Sequence, residues 1–326
     1  MAAYIVAVAA PVPALRPAVA GAPSCPNAPP APTAAEFPGC TPVALPREEL
    51  DDCELRFEYW DAVSETAWVC EPVSPYHESP ARCLTGLVTL IARMRGSPIR
   101  CFGCMDLLQR DRHGEPWIIM QADESVYLHP GRARLPGPKA MMLGEDDLPD
   151  VVLEVDHTTD VRRRKLPQYE WWGFPEVWVE VPDAPSASRP KGRQSGLTIH
   201  LLEDGAFRQS PASRAFPGWT AEEIHAALNE AAFSAATSAA LERVGRALGQ
   251  REGTGPDDDP LLRSQRAEAR TEARAELARE LLVARGIAVG VDFPGVPGFA
   301  DLPVHAIAAA AAACTSQADF RERLRR

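Results

Sequence analysis

The chain has 326 residues, 45% of them hydrophobic, with 34 basic and 45 acidic side chains and a formal net charge of -11. That length holds one large core with appendages, or two domains. The acidic balance argues against a protein that coats nucleic acid by bulk electrostatics, so any phosphate binding must be local.

Residues 1–47 are rich in Ala and Pro and predict a disordered or extended leader. Its apolar start, MAAYIVAVAAPVPALRPAVAGAPS, has no basic residue ahead of the apolar run and meets proline early, which favours a leader over a secretion signal. A folded domain is expected over 48–230. LRFEYWDAV and ETAWVCEPV predict two short strands around a turn near Ser64 and Glu65. Leu84, Leu87, Leu90 and Ile91 stand at helical spacing and predict a helix over 77–95. Strands are expected over 99–108 and 116–120, with RDRHGE turning between them, and over 122–128, which carries Asp123. The Pro- and Gly-rich stretch HPGRARLPGPKAMMLGEDDLP predicts a loop.

The next segment, PDVVLEVDHTTDVRRRKLPQYEWWGFPEVWVEV, is the most informative in the chain. It predicts a strand, a basic helix and a second strand. At the two-residue strand period, Glu154 and Asp156 point to one face. Burying such acids is costly unless a partner or metal compensates them. Thr158 or Thr159 is expected to cap the helix. Pro167 is expected to kink it or shift its first turn, and Gly173 to end it. Val177, Val179 and Val181 then form a strand. Residues 197–202 and 206–209 predict a hairpin around Glu203, Asp204 and Gly205. Thr220 and Glu223 form a capping box for a helix over 221–229.

A helical extension is expected over 231–326, with a linker at 252–260. Within it, 261–285 reads as a charged helix whose thin stripe of Leu277, Leu281 and Ala284 suits a partner helix or self-association, or else a solvated surface helix. A last helix is expected over 302–324. The eight cysteines are scattered and form no compact disulfide framework. Cys101 and Cys104 make a lone CxxC with no second ligand pair for zinc. No apolar run approaches the roughly 20 residues that span a bilayer.

Asp123, Glu154 and Lys165 are the expected chemical group; the alternative is that the two acids are only strand-edge charges. If their strands are neighbours, two carboxylates can bind one Mg2+, with Mn2+ as a substitute, and the lysine can act beside them. Asp156 either adds a metal ligand or caps the turn before His157. Asp150 is too close to Glu154 along one strand to act as a separate acid. His77, at a helix start, either faces the cleft or caps the helix. Tyr169 lies one helical turn beyond Lys165 on the same face, to buttress the lysine, contact a phosphate or pack in the core. The Trp171–Trp172 pair suits packing more than base stacking.

Several segments resemble the Uma-type putative restriction endonucleases of bacteria, a branch of the PD-(D/E)XK nuclease superfamily. They are EYWDAVSETAWVCEPVSPYHESPARCL, FGCMDL, QADESVYLHP, the segment from Pro149 to Val181, and FPGWTAEEI. The resemblance spans roughly residues 54–228, with Lys165, Tyr169, Gly173, Glu176 and Trp178 at the family's positions. It implies an α/β fold, a restriction-endonuclease-like mixed β-sheet flanked by helices, with divalent-metal phosphodiesterase chemistry. Asp123 matches the first metal-binding aspartate and Glu154 the acid of the second motif. The superfamily's lysine two positions later is replaced by Asp156, and Lys165 on the following helix stands in for it. His77 matches a histidine of the family, and Arg164 and Tyr169 join it as expected substrate contacts. The resemblance implies DNA as substrate, a homodimer and a cytoplasmic bacterial setting. A partner protein on the C-terminal helices is a further expectation. The rival expectation is an interaction or scaffold protein that keeps the fold without the activity.

Overall fold

The computed structural model describes residues 32–53, 55–70, 75–133, 140–157, 160–185, 193–290, 293, 296 and 298–325. Among the described residues the fold is mixed α/β, with twelve strands, seven α-helices and two mixed six-stranded sheets. Strands β1 (Cys40–Ala44), β2 (Tyr59–Asp61) and β3 (Thr66–Cys70) precede helix α1 (Pro75–Arg95). There follow β4 (Arg100–Cys101), β5 (Met105–Arg110), β6 (Pro116–Ala122), β7 (Glu124–Tyr127), β8 (Met141–Met142) and β9 (Val151–Val155). Helix α2 (Lys165–Trp172) leads to β10 (Glu176–Val181), and β11 (Gly196–Glu203) and β12 (Ala206–Ser210) form a hairpin. The rest is helical: α3 (Ala221–Asn229), α4 (Ala235–Glu252), α5 (Pro260–Ala284), α6 (Val304–Ala313) and α7 (Gln317–Arg323). No helix among the described residues is long and apolar enough to cross a membrane.

The chain divides into two compact units, Met1–Leu87 with Ile99–Thr237, and Val88–Pro98 with Ser238–Arg326. In the first unit one sheet runs β1-β3-β2-β6-β5-β8 and the other β12-β11-β10-β9-β7-β4. Strands β9 and β10 are parallel, and α2 makes the crossover that parallel neighbours need. On its other side β9 pairs antiparallel with β7. Every residue of β9 and β10 is buried, as expected for central strands covered on both faces. Val152, Val177 and Val179 join Met105, Leu107 and Met120 of the other sheet, and Tyr169 and Phe174, in one core. Trp178, at the opposite strand parity, packs edge-on against Trp219.

Several local expectations hold. Gly173 ends α2 with φ 80°, a left-handed conformation that favours glycine. Asp204 and Gly205 both have positive φ, as a tight two-residue hairpin turn requires. Thr220 and Glu223 form both halves of the capping box. Pro167 falls in the first turn of α2, after a short 3-10 turn over Val161–Arg163, where its missing N–H leaves no bond unmade. Thr158 and Thr159 lie outside the described residues.

Other expectations need correction. The fold reaches ahead of Glu48: β1 pairs with β3, and Phe37 is buried against Tyr59 and Trp68. Cys40 and Cys70, opposite each other in that pair, form a disulfide. The strand expected over 99–108 is two strands in different sheets, β4 and β5, and the loop before β9 contains the short β8. The single last helix is two, because Ser316 caps a new helix at Asp319 N–H.

In the second unit, α5, α6 and α7 bury Ala275, Ala278, Leu282, Ile307 and Phe320 together. The buried stripe of α5 is therefore offset from the expected one. Leu277 is half-buried, Leu281 borders this core, and Ala284 is exposed.

Candidate functional site

The register of β7 on β9 sets Glu124 opposite Leu153 and Ser125 opposite Val152. One residue further, that register brings Asp123 opposite Glu154. Asp123 stands at the joint between β6 and β7, where the chain passes from one sheet into the other. Its Oδ2 accepts the Val155 N–H at 2.7 Å, which pins it to β9. The two acids are thus neighbours, the condition on which the sequence reading depends.

Helix α2 brings the cation. Its buried residues are Lys165, Gln168 and Tyr169, one face at helical spacing. Lys165 Nζ donates to Glu154 Oε2 at 2.5 Å, and the Tyr169 hydroxyl donates to Glu154 Oε1 at 2.5 Å. Both oxygens of Glu154 are therefore engaged from one helix face. Lys165 also donates to Glu58 Oε2 at 3.1 Å. Glu58 precedes β2 and takes part in the sheet through both backbone groups, its N–H bonding Trp68 and its carbonyl accepting from Gln121. His77, near the start of α1, sets Nε2 3.7 Å from Asp123 Oδ2.

Three carboxylates, Glu58, Asp123 and Glu154, thus crowd one lysine. Burial pushes the Glu154 carboxyl well above its ordinary range, and Asp123 adds to that, while Lys165 opposes it. Burial also raises Asp123, against the pull of His77 and Lys165. Burial would raise Glu58 too, but Lys165, His77 and Arg56 more than reverse it and hold it below the usual value. For Lys165, burial works against the charged form, yet Glu154, Glu58 and Asp123 together hold its pKa above that of a free lysine.

The other expected residues lie outside this knot. Asp156 follows β9 and is 2% exposed; Oδ1 accepts the Val161 N–H at 2.8 Å and Oδ2 takes the Arg193 guanidinium. Arg164 turns inward: it donates to the Tyr59 hydroxyl at 3.0 Å and lies over that ring at 5.2 Å, with Glu36 3.5 Å away. Arg162 and Arg163 are held by the buried Asp160. Asp150 binds Arg132 and the Leu128 N–H, a structural role. Trp172 borders the core, whereas Trp171 is exposed.

Sequence reasoning missed Glu58 and Arg193. Glu58 stands among aromatics, with no spacing relation to another acid, and only the pairing of β2 with β6 brings it near Asp123. Arg193 lies 37 residues beyond Asp156. The CxxC holds no ligand set. Burial pushes the Cys101 thiol to about 12 and Cys104 to about 11, and Arg56 donates to Cys104. Among the described residues no group of three or more His, Cys, Asp or Glu side chains is arranged to hold a metal ion. Comparison with known protein families and with curated proteins finds no match for this chain.

Proposed function

We propose that this chain is a restriction-endonuclease-like protein that hydrolyses DNA phosphodiester bonds with Mg2+, or with Mn2+ in its place. The observation that carries the reading is the meeting of Asp123, Glu154 and Lys165 from two paired strands and the crossover helix. The donor chemistry fits a hard divalent ion: oxygen ligands from the buried Asp123 and Glu154, with the half-buried Glu58 beside them, outnumber the one lysine. Asp123 and Glu154 would hold the ion. Bound there, it supplies polarisation of a phosphoryl oxygen and a more acidic attacking water. Lys165 orients that water and offsets charge building on the phosphate. Tyr169 fixes the Glu154 carboxylate through its hydroxyl, and His77 stands beside Asp123. Asp156, engaged by Arg193 and Val161, orders the turn after β9. A cytoplasmic homodimer, and a partner protein on the C-terminal helices, belong to the same reading.

The test is cleavage of plasmid and single-stranded DNA with Mg2+ or Mn2+. Glu154→Ala should abolish cleavage while far-UV circular dichroism stays that of the wild type. Equal cleavage by both proteins would sink the proposal.

A second reading, a scaffold that keeps the fold without activity, draws on one observation. Both Glu154 oxygens already have donors, one of them the Lys165 ammonium at 2.5 Å, whose charge opposes a cation there. Calorimetry with Mg2+ and Mn2+ separates the two: no binding heat at an intact carboxylate pair favours the scaffold.

A further inference from the structure

We infer that Glu58 is a positioning residue that draws Lys165 off Glu154 when a divalent cation loads the site. The inference rests on the metal-binding reading above and assigns a role to a residue outside the metal pair. The geometry is a shared ammonium. Lys165 Nζ lies 2.5 Å from Glu154 Oε2 and 3.1 Å from Glu58 Oε2, so one amine already bridges two carboxylates. The remaining Glu154 oxygen accepts from Tyr169. A dication on Glu154 would sit against an ammonium 2.5 Å from the same carboxylate, and their repulsion favours a shift of the ammonium.

A buried ammonium deprived of its carboxylate pays the full desolvation cost of the charge. Lys165 is 4% exposed, so water cannot take over. Glu58 removes that obstacle, because the ammonium needs only to shift its weight from one partner to the other. Glu58 is suited to the part. Its backbone is tied at the N–H to Trp68 and at the carbonyl to Gln121, which anchors the base of the side chain that meets Lys165. Its side chain is 13% exposed, against 1% for Glu154, which puts it on the outer side of the pair.

The test is Mn2+ titration by calorimetry on the full-length protein, with thermal unfolding to verify folding of each variant. Glu58→Gln should weaken Mn2+ binding about tenfold, the size of coupling found between residues in direct contact. In a Lys165→Met background the same substitution should change affinity less than about threefold, because the ammonium it acts through is gone. Unchanged affinity in Glu58→Gln alone overturns the inference. An equal loss in both backgrounds overturns it as well, since Glu58 would then act as a ligand or a bare charge. Should Lys165→Met fail to fold, Glu58→Asp decides. That variant keeps the charge but withdraws it from Nζ, so wild-type affinity would refute a role through contact, and a loss matching Glu58→Gln supports it. Wild-type protein that takes up no Mn2+ refutes the metal reading itself, and the inference falls with it. That outcome is distinct from the others because it is seen before any substitution.

Discussion

Tyr169 and Lys165 divide the Glu154 carboxylate between them, the hydroxyl on Oε1 and the ammonium on Oε2, each at 2.5 Å. The two donors stand one turn apart on α2, so a single helix face engages both oxygens of an acid that is 1% exposed. A buried acceptor stripped of its donor keeps its desolvation cost without the compensating bond. Tyr169→Phe, which removes only the hydroxyl, should therefore lower stability by about 1–3 kcal/mol in urea unfolding. A change below about 0.5 kcal/mol, the range of surface substitutions, would mean that water replaces the hydroxyl there.

Lys165 answers a larger demand. Its removal leaves the buried Glu154 without its cationic partner. Lys165→Met is expected to cost roughly 3–5 kcal/mol, the range for breaking a buried pair from one side. Adding Glu154→Gln should recover part of that loss, because the double variant no longer buries an unpaired charge at that position. Equilibrium denaturation of the two single variants and the double variant measures the coupling.

His225 makes a pH-dependent tie between α3 and β10. Its Nδ1 lies 2.8 Å from Glu180 Oε1, and its Nε2 lies 3.2 Å from Asp183 Oδ1. The bond to Glu180 raises its pKa above the ordinary 6.5, burial opposes this, and the charge of Glu180 adds to it. A histidine raised on folding contributes stability that is fully present below its unfolded pKa and is lost as pH rises through the folded value. Stability should thus fall as pH climbs from about 6 through the range above 6.5. His225→Gln should flatten that part of the profile, read as the urea midpoint against pH. An unchanged slope in the variant would assign the titration to another group.

Much of the scaffold was legible because local rules govern it. The Gly173 stop, the Asp204–Gly205 turn and the Thr220 cap each follow from residues within four positions of one another. The pairing of Asp123 with Glu154 was legible only as a condition, since strand order is a long-range property. Glu58 was not legible at all: its approach to Lys165 needs β2 placed beside β6, α2 packed over β9, and both sheets meeting at Asp123. Arg164 reads in sequence as one of a run of four cations, yet it alone among the three arginines is inward, because Tyr59 offers it a ring and a hydroxyl. The β1 strand was hidden by the Ala/Pro composition around it, which outweighed the short run CTPVA.

Two helical glycines should respond to alanine in opposite directions. In α1, a Cβ on Gly86 meets nothing within 4 Å, so Gly86→Ala gains helix propensity alone and should stabilise by about 0.5–1 kcal/mol. In α4, a Cβ on Gly245 would lie 2.5 Å from Met94 Cβ and 2.7 Å from the Ile91 carbonyl oxygen of α1. Neither neighbour is the end of a flexible side chain, so the helices must separate to admit a methyl group. Overpacking of that kind costs about 1–3 kcal/mol, more than the propensity gain returns. Gly245→Ala should therefore lower the melting temperature while Gly86→Ala raises it, as read by calorimetry. A rise in both would mean that the approach of α1 and α4 at Gly245 yields without resistance.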